Sequence, residues 1–158
     1  MTKATSLWRI SKRGAKVDDL NGAGAASLGG RWNAKGTPVV YTSTAISLAA
    51  LETLAHWAGK VAIRDSFLIK LTVPNAVWAK RKTVTIATLP LTWLAQPPGP
   101  ASVNLGNSWL AANSEAVMLV PSVIIPEEYN ALINPTHPEA VHIRATVVRH
   151  FTYDPRLI

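Results

Sequence analysis

Residues 45–58 read AISLAALETLAHWA, a run that carries a single charge, Glu52. Alanine and leucine dominate it, Ser43 and Thr44 precede it as candidate caps, and Gly59 follows it, so the segment is expected to be a helix. A surface helix normally shows several polar positions over every two turns. This one has almost no polar face, which adds weight to a functional reading of its single charge. It is too short, and too interrupted at Ser47, Glu52, Thr53 and His56, to cross a bilayer. The helical neighbours of Glu52 at three and four residues are Leu48, Ala49, Ala55 and His56. A carboxylate in that setting is either a solvated surface charge or a group held at the edge of a cleft.

The elements around this helix mix strands and helices without a βαβα rhythm. Strands are expected over residues 6–10, 38–43, 66–73, 116–120 and 141–151, the fourth of them apolar enough to be buried on both faces. One or two short strands are expected within residues 77–86. Residues 103–112 suggest a helix and 126–132 a single helical turn, and Asn134 to Pro138 (NPTHP) a rigid turn. Residues 11–37 hold six glycines and little periodicity, a long loop of the kind that often carries function. Residues 89–100 hold four prolines and suit a loop or a broken turn of helix. The expected class is α+β, one domain over residues 1–158, with antiparallel or mixed sheets and flanking helices.

Composition excludes several chemistries. With no cysteine in its 158 residues, the chain has no disulfide, no thiolate nucleophile and no cysteine-bound metal. His56, His137, His142 and His150 lack HxxxH or HExxH spacing, so no metal site is expected. The opening MTKATSLWRISKRG has no apolar stretch of signal-peptide length, and a cytoplasmic chain is expected. The formal net charge is +7. It suits a basic surface that merely aids solubility, nucleic acid, an anionic small substrate or an acidic partner, and only Lys12-Arg13-Lys16 and Lys80-Arg81-Lys82 form local basic clusters. The six tryptophans are spread out and read mainly as core.

Other residues stand out beside Glu52. Gly29-Gly30-Arg31-Trp32-Asn33 places an arginine, suited to bidentate phosphate contact, directly after two glycines. It is neither a phosphate loop nor a dinucleotide fingerprint, and a surface arginine after a glycine turn is the plainer alternative. Tyr41, at the end of an expected strand, suits stacking on a flat ring or filling the core. Ser122 follows Pro121 and lacks the GxSxG setting of a hydrolase nucleophile; a plain turn residue is the alternative.

The order of these pieces resembles the RES domain, the toxin of RES–Xre toxin–antitoxin modules. The resemblance is carried by Leu7-Trp8-Arg9-Ile10, Gly29-Gly30-Arg31-Trp32-Asn33 with Gly36, and Val39-Val40-Tyr41-Thr42-Ser43. It continues through Ala49-Ala50-Leu51-Glu52-Thr53-Leu54, Val120-Pro121-Ser122, Leu132-Ile133-Asn134-Pro135 with His137, and Tyr153-Asp154-Pro155-Arg156-Leu157. It implies a fold similar to the ADP-ribosyltransferase toxins and cleavage of the nicotinamide–ribose bond of NAD⁺, with NAD⁺ as substrate and no further cofactor. The family's arginine, glutamate and serine fall on Arg31, Glu52 and Ser122, with Arg9 a rival for the arginine. Glu52 would stabilise positive charge on the ribose, and Arg31 would bind pyrophosphate. Tyr41 would stack on nicotinamide, and Ser122 would bond its amide or a ribose hydroxyl. The expected partner is an Xre-type DNA-binding antitoxin; a homodimer stays open, and neither membrane nor direct nucleic-acid binding is expected. The acceptor of the ADP-ribose, whether water, phosphate or protein, also stays open. So do two rivals: a transferase that modifies a protein, and a non-catalytic basic nucleic-acid-binding module.

Overall fold

A computed structural model describes residues 3–12, 19–57 and 65–157. Its centre is one seven-stranded sheet, β1 (Thr5–Lys12), β2 (Val40–Ser43), β3 (Ser66–Val73), β4 (Lys82–Thr83), β5 (Val117–Pro121), β6 (Tyr129–Ile133) and β7 (Arg144–Phe151), in the order β4-β5-β6-β2-β1-β3-β7. Every pairing is antiparallel except β4 with β5, so the sheet is mixed. Among the described residues four α-helices accompany it: α1 (Ala23–Leu28), α2 (Ile46–Trp57), α3 (Asn75–Ala79) and α4 (Pro100–Ala112). The α+β expectation holds.

Alternation along the strands separates two faces. Leu7, Val40, Ile69, Leu71, Val73, Val117, Leu119, Ala131 and Ile133 turn to one face and form a continuous core. The other face carries two apolar clusters. One gathers Trp32, Trp93, Trp109 and Leu110 over Met118, Val120 and Leu132. The second gathers Trp57 and Tyr153 over Ile10 and Leu68, with Ala50 and Leu54 of α2 packed against it. Cα pairing sets Val120, Asn130, Ser43, Trp8 and Lys70 side by side across five strands on this second face. Polar residues therefore sit in the gap between its two clusters, beneath α2.

Several local expectations need correction. The glycine-rich stretch contains the short helix α1, closed by Gly29 at φ 71°. Residues 77–86 hold one short strand, β4, as expected, but begin in α3. The expected helical turn at 126–132 is largely strand: Tyr129–Ile133 is β6, and pairing with both β2 and β5 outweighs local preference. Helix α4 begins earlier than expected, with Pro100 in its first turn. The expected strand at 141–151 begins at Arg144, after a 3₁₀ turn over Pro138–His142. Gly59, expected to stop α2, lies outside the described residues. Ser43 and Thr44, the candidate caps, send their hydroxyls instead to Asn130 Oδ1 (2.7 Å) and the Tyr129 carbonyl (2.9 Å). Trp32, Trp57, Trp93 and Trp109 are core as expected; Trp8 and Trp78 are only partly buried. Among the described residues no helix is long and apolar enough to cross a membrane.

α4 fixes the segment that presents Arg31. Gly106 lets the helix backbone press against the Trp32 carbonyl, where an added Cβ would collide with the carbonyl oxygen. Asn107 Oδ1 accepts from the Ala34 amide at 3.0 Å. Gly24, in α1, has nothing within 4 Å of an added Cβ. Gly106→Ala should therefore cost about 3 kcal/mol by overpacking, while Gly24→Ala should gain about 0.5–1 kcal/mol of helix propensity. Urea unfolding of the two variants checks the contrast, and equal effects would contradict the packing argument.

Candidate active site

Glu52 lies one turn beyond the buried Leu48 and Ala49 of α2, half-buried itself. Its Oε1 accepts two hydrogen bonds, from Ser122 Oγ at 2.7 Å and from Asn130 Nδ2 at 2.6 Å. Among the described residues no hydrogen bond reaches Oε2, and no ion pair involves the carboxylate. Both donors are neutral, so the negative charge is oriented without being cancelled.

Ser122 is fully buried at the end of β5. Its oxygen accepts from the Ile124 and Ile125 amides at 3.0 and 3.1 Å, while its proton goes to Glu52. A hydroxyl has one proton and two lone pairs, so this one is saturated. The expectation had Ser122 bonding substrate itself; here its contact is with Glu52.

Arg31 is half-buried in the turn after α1. Its Nη1 donates to the Trp93 carbonyl at 2.6 Å and the Ala95 carbonyl at 3.0 Å. Trp93 is buried beside Trp32, with ring centroids 6.4 Å apart, which anchors the proline-rich stretch that carries these carbonyls. Among the described residues Nε and Nη2 make no hydrogen bond, so one bidentate edge of the guanidinium is unspent. Burial pulls its pKa down, and the nearby Glu52 and Tyr41 partly offset that pull. Arg31 and Glu52 therefore sense each other's charge without forming an ion pair.

Tyr41 ties the arginine turn to the sheet. Its hydroxyl donates to Asn33 Oδ1 at 2.6 Å and accepts from the Trp32 amide at 3.1 Å. Asn33, 1% exposed, spends its amide protons on the carbonyls of Ala25, Ala34 and Thr37. A Cβ on Gly30 would sit 2.7 Å from the Tyr41 oxygen, which explains the second glycine of the pair. Arg9 stands apart. Its Cα pairs with Ile69, on the face of Leu7 and Leu71, and its Nε donates to Ser11 Oγ at 2.7 Å. The structure thus brings Arg31, Tyr41, Glu52 and Ser122 to one face of the sheet and leaves Arg9 on the other. Sequence reasoning missed Asn130, which had been placed in a helical turn, and gave Ser43 no role beyond a cap. No quoted motif includes Asn130, and the one that ends at Ser43 gives it no role; the β2–β6 register brings them to Glu52.

The RES domain family matches residues 6–155. The chain belongs to the RES domain family. It is 44% identical over 156 residues to a Sphingobium protein named Prs ADP-ribosylating toxin, covering 98% of this chain and 97% of that one. It is 37% identical to a Pseudomonas putida protein named Toxin Res, covering 96% and 98%. A Yersinia enterocolitica Toxin Res is 32% identical, again covering 96% and 98%. Relatives this similar along nearly their whole length make this a RES-family toxin. Its fold matches a chain of the M. tuberculosis MbcT–MbcA toxin–antitoxin complex with a TM-score of 0.71 at 16% identity, covering 99% of this chain and 88% of that one.

Burial pushes the Tyr41 phenol up to about 12 from 10.0. The fold therefore favours the protonated form. Its contribution to stability is complete below pH 10 and is lost as the pH rises through about 12. Wild type should lose about 2 kcal/mol more than Tyr41→Phe between these limits. Below pH 10 the variant should be about 1–3 kcal/mol less stable, because the Trp32 amide and Asn33 Oδ1 lose their partner. Urea unfolding from pH 9 to 12 measures both; parallel stability curves would contradict the linkage.

Proposed function

We propose that the chain is the NAD⁺-consuming toxin of a toxin–antitoxin pair and that Glu52 carries the chemistry. The observation behind this reading is the carboxylate whose Oε1 is held by two neutral donors while Oε2 is unbonded. Cleavage of the nicotinamide–ribose bond sends the bonding electron pair to nicotinamide and leaves oxocarbenium-like charge at the ribose C1′. An acceptor then adds at that carbon; when it is water, it loses a proton and yields ADP-ribose. A preoriented anion near C1′ stabilises this charge more in the transition state than in the ground state. The open edge of Arg31 suits the pyrophosphate, and the Tyr41 ring, fixed through its hydroxyl, suits the nicotinamide. No covalent enzyme intermediate is needed, which fits a Ser122 hydroxyl already saturated.

A second reading shares the bond cleaved but transfers ADP-ribose to a protein. It is favoured by the name of the Sphingobium relative. Incubation with NAD⁺ alone separates the two: rapid nicotinamide release without a protein acceptor supports small-molecule consumption, and release only in its presence supports transfer. A free NAD⁺-consuming enzyme would starve its own cell, so the reading includes a cytoplasmic, Xre-type DNA-binding antitoxin that covers Arg31 and Glu52. Acidic groups on that partner would complement the +7 chain, and their association would slow as salt rises.

Glu52→Gln keeps the shape and removes the charge. It should raise the barrier by about 2–4 kcal/mol, the scale of one preorganised electrostatic contact. Arg31→Ala should weaken NAD⁺ binding by about 1.5–3 kcal/mol, with Arg31→Lys recovering only part. Nicotinamide release by the purified variants measures both effects. Turnover near wild type in Glu52→Gln would refute the assignment.

A further inference from the structure

Ser43 and Asn130 face each other across β2 and β6, and of the two Asn130 bonds Glu52 directly. Ser43 Oγ donates to Asn130 Oδ1 at 2.7 Å, and Asn130 Nδ2 donates to Glu52 Oε1 at 2.6 Å. The direction of this chain is forced. A carboxylate only accepts, so the carboxamide must turn its nitrogen toward Glu52. Its oxygen then faces Ser43, whose hydroxyl supplies the matching donor and is 3% exposed. Turned over, the carboxamide would set its oxygen against a carboxylate oxygen, with no proton between them.

One donor does not fix a glutamate carboxylate. Its last torsion joins an sp³ to an sp² carbon and is broad, so Ser122 alone would leave the group free to swing about a single bond. Ser122 arrives from the end of β5 and Asn130 from β6, and both converge on the same oxygen. Two donors on Oε1 set the plane of the group and reserve Oε2.

From this geometry we infer that Ser43 and Asn130 are positioning residues for Glu52: Ser43 orients the carboxamide of Asn130, and Asn130 holds Oε1 so that Oε2 is presented to the reacting ribose. Neither touches the substrate in this scheme. The geometry stands by itself; its kinetic consequence rests on the proposed function.

The test uses the full chain as wild type, Ser43→Ala, Asn130→Ala and Asn130→Asp, with kcat and KM for NAD⁺ measured beside thermal unfolding. Asn130→Ala should lower kcat about 10- to 100-fold, the worth of a hydrogen bond to a charged group. Ser43→Ala should lower it up to about 10-fold, the worth of a neutral one. KM should hold within about threefold in both, since uniform binding is untouched. Asn130→Asp decides between positioning and mere space-filling. Aspartate keeps the shape of asparagine, so a space-filling role predicts that it outperforms alanine. Positioning predicts the reverse, because a second carboxylate would oppose Glu52. Unchanged kcat in Ser43→Ala, or an Asp variant more active than the Ala variant, overturns the proposal.

A second readout needs no turnover. The Asn130 side-chain amide of ¹⁵N-labelled protein should give two widely separated proton signals, one proton lying on the carboxylate. Ser43→Ala and Glu52→Gln should each narrow that separation, and an Asn130 signal indifferent to Ser43→Ala overturns the relay. A wild type that releases no nicotinamide would defeat the functional reading alone, with the amide signal still deciding the relay.

Discussion

Everything at the site depends on a carboxylate that is held by hydrogen bonds but not neutralised. An anion at the edge of a core is costly unless it is bonded, and the usual remedy is a cation. A cation paired with Glu52 would cancel the charge on which the proposed bond cleavage draws. Here two neutral donors, Ser122 and Asn130, supply the bonding, while Arg31 uses Nη1 on the carbonyls of Trp93 and Ala95. Among the described residues, opposite charges stand near each other on one face of the sheet without forming an ion pair. On the proposed function this is electrostatic preorganisation, in which folding meets the cost of orienting both groups.

The second face of the sheet shows how the chain builds such a place. Tryptophan-rich packing over β5 and β6 occupies one side, and the Trp57–Tyr153 cluster occupies the other. Between them the strands turn Ser43 and Asn130 upward, and α2 lowers Glu52 onto the pair. The nearly apolar helix makes sense in this light. Its Ala50, Leu54 and Trp57 pack on the second cluster while Leu48 and Ala49 are buried, and only Glu52 is required to be polar toward the sheet.

Much of this was legible in the residues alone. The lone charge of α2, the glycine-arginine turn and the strands at 66–73 and 116–120 follow from composition and periodicity. Resemblance to the RES domain joined Arg31, Glu52 and Ser122 before any geometry was known. What stayed hidden is what register decides. Asn130 lies in YNALI, which follows PEE and carries no strong strand signal; it becomes strand because β2 and β5 flank it. Ser43 reads as a cap from its position before a helix, and only its cross-strand neighbour shows another use. Sequence favours Arg31 with Arg9 as its rival, and strand alternation puts Arg9 on the opposite face from Glu52.

The spread of the family match along the chain has a physical reason. Glu52 cannot be placed by α2 alone, because that helix is itself pinned from the far end of the sequence: the Tyr153 hydroxyl donates to the Ala50 carbonyl at 2.6 Å. The turn holding Tyr153 is closed by Asp154, which accepts from the Arg156 amide at 2.9 Å and its Nε at 3.0 Å. Arg31 depends on Gly106 and Asn107 of α4 for its approach, and on Asn33 and Tyr41 for its turn. Ser122 depends on the bend after β5, whose amides saturate it. Residues from 31 to 156 thus converge on one carboxylate and one guanidinium. The groups that orient them are spread over strands, helices and loops far apart in the sequence, so no single motif builds the pair.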